Sequence, residues 1–357
     1  MDPQTTSSSA AYDAVALTRQ LIDIESITYN EGAVGHFLAA FLAGRGFHIE
    51  TMKVGDERAE AKDNNDGGAT RFNVYAGKQG EQPDVVLSTH MDTVPPFIPS
   101  SEDEDFIYGR GACDAKGIIA AQIGAAEILR ADGIKVGLLF LVGEERDSAG
   151  AKVANEHPRG SRFLINGEPT DNRIAIASKG ALRAAIHATG KMAHSAYPEL
   201  GESAVHKLVE ALDRLLDIRL PVMDGIGPST LNIGTIEGGR ATNVIADKAE
   251  AHVLIRLVGP SEATRNAVEE AVAGLASVEF TLEIPFTRLR HMEGVPSMVA
   301  AFTTDVPWLT KWGEPVLLGP GSIHVAHTPH ERLSKIELAN AIRLYVDVAR
   351  RLVNGEA

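Results

Sequence analysis

Hydrophobic positions along the chain follow two periods. Residues 14–24 and 31–43 carry helical stripes. In the second, Val34, Phe37, Leu38, Phe41 and Leu42 recur at i, i+3, i+4, i+7 and i+8, and Gly44 or Gly46 can end the helix. Short apolar runs bounded by turn residues follow at 72–76, 84–89, 136–142 and 162–165, separated by helical patterns at about 115–130 and 148–156. That alternation predicts an α/β sheet, largely parallel and covered on both faces. Beyond Ser178 the pattern changes. A strand-like stretch at 181–191 precedes a helix over 202–220 that carries Val205, Leu208, Leu212, Leu215 and Leu216. Strand candidates at 230–236 and 249–258 lead to a helix opened by Ser261, with Glu262 in its first turn, and to a last strand over 278–284. The order β-α-β-β-α-β is that of a ferredoxin-like unit. The chain then returns through a loop to a strand near 315–318 and a long helix over 334–352. We therefore expect an α/β domain made of residues 1–178 and 287–357, interrupted by a smaller domain over 179–286.

Composition narrows the function classes. A chain of 357 residues is long enough for two cores, and 44% apolar with 23% charged residues fits a globular protein. No run of eighteen apolar residues occurs, so no membrane-spanning helix is expected. The formal charge of −14 argues against nucleic acid and anionic membranes as partners, since both select basic surfaces. The N-terminal stretch reads as a polar tail rather than a secretory signal, and the lone Cys113 cannot form an intramolecular disulfide. A cytoplasmic location is the expectation from both.

The remaining acids and histidines are placed for chemistry. The stretch DVVLSTHMDTVPP is an apolar strand that delivers His90 and Asp92 at its carboxyl end, where α/β sheets place ligand sites. Side chains two apart on an extended segment share a face, so Asp92 is placed to accept a hydrogen bond from the His90 ring. A carboxylate in that position fixes the tautomer of a metal-bound imidazole, although the pair also fits an ordinary strand end. Asp114, in YGRGACDAKG directly before a helix, reads as a helix N-cap or as a ligand. The run LLFLVGEE ends in Glu144 and Glu145, FLINGEPT contains Glu168, and GSIHVAHTPHE adds His324, His327 and His330. Taken together, these groups are the nitrogen and oxygen donors that zinc accepts. The chain has no HExxH, no GxSxG, no GxxxxGK[ST] and no GxGxxG after a first strand. Cys113 reads as a small core residue rather than a nucleophile.

In combination, STHMDTVPP, YGRGACDAKG, VGEERDSAG, NGEPTD, GKMAHSAYP, GGRATNVIAD and GPGSIHVAHTPHE resemble the M20 metallopeptidase family, in its acetylornithine deacetylase and succinyl-diaminopimelate desuccinylase branch. The resemblance covers essentially the whole chain. It implies a mixed-sheet zinc-hydrolase domain carrying a ferredoxin-like lid that forms a homodimer. It further implies two divalent metals, Zn2+ or its substitute Co2+, the first held by His90 and Glu168, the second by Glu145 and His327, with Asp114 bridging. Glu144 becomes the general base acting on a water between the metals, and Asp92 the partner of His90. His194 reaches the partner subunit's site to stabilise the oxyanion. Arg256 and Asn243 take the substrate carboxylate, with Gly321 and Ser322 beside the substrate. His324 and His330, like His36, His48, His157, His187, His206, His252 and His291, are read as bystanders. The implied activity is removal of an N-acyl group, acetyl above all, from an amino acid such as N-acetylornithine in arginine biosynthesis. Ser178-Lys179-Gly180 at the lid entry resembles deacetylases more than desuccinylases, and Glu168 leans against an aminopeptidase. A desuccinylase, a metallo-dipeptidase or a carboxypeptidase of the same mechanism are the alternatives.

Overall fold

A computed structural model describes residues 12–55 and 71–356, so most of the stretch read as an N-terminal tail lies outside the described residues. Two compact units emerge. The first comprises Met1–Ile176, Leu289–Met298 and Thr304–Ala357, and the second Ala177–Arg288 and Val299–Thr303. In chain order the first unit holds α1 (Ala14–Ile22), α2 (Gly32–Gly44), β1 (His48–Lys53), β2 (Phe72–Gly77), β3 (Val85–His90), α3 (Lys116–Ala131), β4 (Val136–Leu141), α4 (Ala149–Glu156), β5 (Phe163–Asn166) and most of β6 (Ile174–Ser178). The second holds β7 (Gly180–Thr189), α5 (Ala204–Leu216), β8 (Thr230–Gly238), β9 (Lys248–Leu257), α6 (Glu262–Val272) and β10 (Ser277–Ile284). The first unit closes with β11 (Glu314–Leu317) and α7 (Lys335–Asn354).

In the first unit the strands lie in the order β1-β2-β4-β3-β5-β11-β6. The central β4, β3, β5 and β11 are parallel. Antiparallel pairings join β1 to β2, β2 to β4 and β11 to β6. The sheet is therefore mixed, and the expectation of a largely parallel one holds only for its centre. Every residue of β3, β4 and β5 is buried, as strands covered on both faces require. The edge strand β1 is half exposed and mostly polar, which is why no apolar run announced it.

On one face α3 is buried nearly along its length, between the sheet and the helices α1 and α7. Leu21, Leu38, Ile118, Leu338 and Tyr345 share that core. On the other face Tyr75, Leu139, Leu164 and the fully buried Trp312 pack together. The Trp312 indole N–H donates to the Ala154 carbonyl at 3.0 Å, so its burial leaves no donor unpaired. Asp13 caps α1 by accepting from the Ala16 N–H at 3.0 Å, and Ser334 caps α7 from Glu337 at 3.4 Å.

The second unit is a four-stranded antiparallel sheet in the order β8-β9-β7-β10. Alternation along β7 sends Leu182, Ala184, Ile186 and Ala188 into a core with Leu208, Leu212 and Leu215 of α5 and Val268 of α6. This is the ferredoxin-like arrangement that the order of elements predicts. Two details differ from expectation. The helix expected over 202–220 is shorter, because Ser203 caps it by accepting from His206 N–H and the chain leaves at Asp217. Ser261 precedes α6 but does not cap it, since its hydroxyl donates to Glu283 at 2.6 Å. Among the described residues, no helix is long and apolar enough to cross a membrane.

Candidate metal centre

Because β4, β3 and β5 are parallel neighbours, their carboxyl ends lie side by side. His90 is the last residue of β3, Glu144 and Glu145 follow β4, and Glu168 follows β5. The loop before α3 supplies Asp114. His90 Nε2 lies 2.9 Å from Asp114 Oδ1, while His327 Nε2 lies 3.2 Å from Asp114 Oδ2 and 3.0 Å from Glu145 Oε1. Each oxygen of Asp114 thus faces a different imidazole. Donor atoms of His90, Asp114 and Glu145 lie within 4.8 Å of one another. Glu168 Oε1 is buried without a hydrogen-bond partner. The N-cap reading of Asp114 is corrected: Ala115 occupies that position, no side chain caps α3, and the Asp114–Ala115 peptide is cis. His327 has φ of 62°, a left-handed conformation that costs a non-glycine residue about 1–3 kcal/mol and is found where a site holds it in place.

Asp92 does more than the sequence suggests. His90 Nδ1 is nearer the Asp92 main-chain carbonyl, at 3.0 Å, than its carboxylate, at 3.5 Å. That carboxylate accepts instead from Thr28 Oγ1 at 2.8 Å and from the main-chain N–H groups of Glu144 and Glu145 at 3.1 and 3.3 Å. Asp92 therefore fixes the turn that carries both acids. From it the two side chains diverge: Glu145 reaches His327, whereas the Glu144 carboxyl makes no hydrogen bond or ion pair among the described residues.

The electrostatics show a cluster short of positive charge. Burial pushes the Glu144 carboxyl well above the usual range, and the charge of Glu168 adds to it. Burial does the same to Glu168, with Asp114 adding to it against the pull of His90. Glu145 is raised by burial and by Asp114. Burial opposes ionisation of Asp114 too, but hydrogen bonds to His327 and His90 hold it below its ordinary value. The same bonds from Asp114 and Glu145 raise the His327 imidazole to about 10. For His90, burial opposes the charge, yet bonds with Asp114 and Asp92 raise its pKa well above the ordinary value. Protonated rings are thus offsetting carboxylates at the positions where cations would sit. Nitrogen and oxygen donors with an orphaned buried carboxylate oxygen fit divalent metal ions.

Several supporting residues left no local signal. Glu331 accepts from the Cys113 and Asp114 N–H groups at 3.3 and 3.2 Å and from Arg110 at 2.7 Å, pinning the loop before α3. Asp305 is buried beside Ser148, and burial pushes its carboxyl up to about 7. Arg71 and Glu31 form a buried ion pair at 3.1 Å, 3% and 0% exposed. A Cβ on Gly143, whose φ is +82°, would stand 2.4 Å from Arg71 Nη2, so Arg71 backs the turn bearing Glu144 and Glu145. Arg71→Ala leaves Glu31 buried and unpaired, and we expect it to cost about 3–5 kcal/mol of stability. Urea unfolding measures this; adding Glu31→Gln should recover part of the loss, and a loss below about 1 kcal/mol would show that the pair contributes little.

Other residues singled out in the sequence are placed as follows. In the second unit the short strands Ala193–His194 and Val244–Ile245 pair antiparallel, which brings His194 opposite Val244 and beside Asn243. The His194 ring is exposed and accepts from the Ala196 N–H at 3.1 Å. Arg256, half-buried on the face of β9 away from the core, makes no side-chain hydrogen bond or ion pair among the described residues, and burial lowers its pKa. In the first unit, Gly321 has φ of +84°, and a Cβ there would stand 2.5 Å from Cys113 Cβ. The Ser322 carbonyl lies 3.8 Å from Cys113 Sγ, so both residues lie against the loop of Asp114. His324 and His330 are exposed and outside the cluster.

Residues 176–280 match the family model described as "Peptidase dimerisation domain". A "Peptidase M20 domain-containing protein" of Schizosaccharomyces pombe is 38% identical over 94% of this chain and 84% of its own length. A "Probable carboxypeptidase" of Aspergillus terreus is 40% identical over 95% of this chain and 87% of its own. Among solved structures, a tripeptidase from Staphylococcus aureus superposes with a TM-score of 0.77 at 21% identity, covering 96% of this chain and 98% of that one.

Proposed function

The chain belongs to the M20 peptidase family, and from that premise we propose that it is a two-metal amide hydrolase of carboxypeptidase type. Its substrates are short peptides or N-acylated amino acids whose leaving amine carries a free α-carboxylate. One observation carries the reading: Asp114 presents one oxygen towards His90 and the other towards His327, so this one carboxylate would serve two ions. His90 with Glu168 would hold one metal and Glu145 with His327 the other. Zn2+ suits these donors and Co2+ can substitute. When bound, such a pair acidifies water and polarises the amide carbonyl.

The chain's own residues supply the rest. Glu144, uncommitted beside the cluster, takes the proton of the attacking water and returns it to the leaving amine. Asp92 keeps Glu144 and Glu145 pointing apart by holding both of their N–H groups. His194, in a homodimer formed through the second unit, stabilises the oxyanion in the partner's site. Arg256, which makes no ion pair among the described residues, takes the substrate carboxylate with Asn243. Gly321 and Ser322 line the substrate beside the Asp114 loop. The lone buried Cys113 is consistent with work in the cytoplasm.

The deacetylase expectation gives way to this broader reading because a relative 40% identical is named a probable carboxypeptidase. Both reactions break an amide whose amine side carries a carboxylate, so acetylornithine becomes one member of the substrate class. A panel of dipeptides, N-acetyl and N-succinyl amino acids tests this, each offered as free acid and as amide. Free acids are expected to be cleaved and amides to be poor. Arg256→Ala should lower kcat/KM for acids by roughly 2–3 kcal/mol and narrow the difference from amides. Equal hydrolysis of acid and amide by the wild type would overturn the proposal.

A further inference from the structure

The segment that leaves α1 brings a buried hydroxyl to Asp92. We propose that residues 24–28, held down by the buried Lys116, form a positioning strap for the metal centre, and that the Thr28 hydroxyl acts through Asp92 to fix the turn of Glu144 and Glu145. The inference deepens the proposed function and rests on its reading of the centre, although the strap's hold on the turn can be measured without metal.

Residues 24–28 run beside residues 91–93, directly after β3. Ile27 forms a parallel bridge with Thr93. The Thr93 N–H donates to the Ser26 carbonyl at 3.0 Å, and the Thr28 N–H donates to the Thr93 carbonyl at 3.2 Å. Ser26 Oγ donates to the Met91 carbonyl at 2.8 Å. Lys116 is 1% exposed, donates from Nζ to the Ile24 carbonyl at 2.7 Å, and forms no ion pair among the described residues. An ammonium is costly to bury, so a lysine whose hydrogen bond ends on this carbonyl is placed to hold the strap. Its stem packs beside Thr93: a Cβ on Gly111 would stand 2.9 Å from both Lys116 Cδ and Thr93 Cγ2.

Thr28 decides how the Asp92 carboxylate is turned. Asp92 is fully buried, and its Oδ2 accepts from Thr28 Oγ1 at 2.8 Å and from the Glu145 N–H at 3.3 Å. Its Oδ1 accepts from the Glu144 N–H at 3.1 Å and lies 3.5 Å from His90 Nδ1. The hydroxyl bond is the shortest of these four. Rotation of an aspartate carboxylate about its last bond is soft, so without Thr28 only the long bond from Glu145 holds Oδ2. The carboxylate is then free to swing towards the His90 ring and to release the N–H groups that keep Glu144 and Glu145 apart. Valine has the shape of threonine, so Thr28→Val leaves no room for a water to replace the lost donor.

Amide hydrogen exchange on the metal-free, full-length chain tests the strap. Thr28→Val is expected to speed exchange at the Glu144 and Glu145 N–H groups about tenfold, the equivalent of one lost charged hydrogen bond, while the amides of α7 exchange as in the wild type. Thr28→Ser restores the hydroxyl and should return both groups to the wild-type rate. Lys116→Met keeps the stem without the donor and should loosen the same two amides, which preserves the test if Thr28→Val does not fold. Competition with a chelator should show Zn2+ bound about tenfold more weakly by Thr28→Val and recovered in Thr28→Ser. For a dipeptide substrate, kcat should fall in Thr28→Val while KM stays at the wild-type value. Wild-type exchange at residues 144 and 145 in either folded variant, or unchanged Zn2+ affinity in Thr28→Val, would overturn the proposal. A wild type that binds no Zn2+ yet shows the expected exchange pattern would instead overturn the proposed function and leave the strap's hold on the turn intact.

Discussion

Glu144→Gln is expected to keep its full metal complement while losing about 10²–10⁴ in kcat, the range over which a positioned general base acts. Glutamine preserves the size of the side chain and removes its ability to accept a proton. Among the described residues the Glu144 carboxyl makes no hydrogen bond or ion pair with either histidine, whereas the neighbouring Glu145 lies 3.0 Å from His327. The main-chain N–H of residue 144 still donates to Asp92 in the variant, so the turn and Glu145 stay in place. Glu145→Gln should show the opposite split and lose one metal. Metal analysis beside single-turnover kinetics separates the two: a Glu144→Gln protein that loses metal, or that keeps activity within tenfold of wild type, would sink this division of labour.

Asp114→Asn should have the widest effect, abolishing measurable turnover and lowering the affinity for both metals at once. An amide offers one oxygen and a donor N–H₂, so it cannot present an acceptor to both His90 and His327. Loss of the shared charge also leaves the neighbouring acids with one fewer ligand through which to share cations. Because ions bind the folded chain, chelator should lower the wild-type Tm and leave that of Asp114→Asn nearly unchanged. Retention of two tightly held ions at the centre in this variant would show that Asp114 is not the shared ligand.

Local pattern specifies those parts of the architecture in which neighbours in sequence decide structure. The apolar runs at 84–89, 136–142 and 162–165, short and bounded by turn residues, read as strands buried on two faces, and each is followed within three residues by a His or acid. The period of the segments after Ser178 likewise determined the β-α-β-β-α-β unit, since amphipathic alternation is a local property. Tertiary structure decided what depends on distant partners. The polar β1 joins the sheet because β2 offers a ladder, and the antiparallel flanks around a parallel centre follow from that pairing. Whether Asp114 capped α3 or faced two imidazoles turned on His327, far away in the chain, and on a backbone that places Ala115 at the cap. Asp92 was legible as a partner of His90, but its carboxylate goes chiefly to N–H groups that only the β4 turn delivers. Arg71 with Glu31 and Arg110 with Glu331 have no periodic signature, because a buried ion pair is specified by the distance between two side chains in the folded protein rather than by either residue's neighbours.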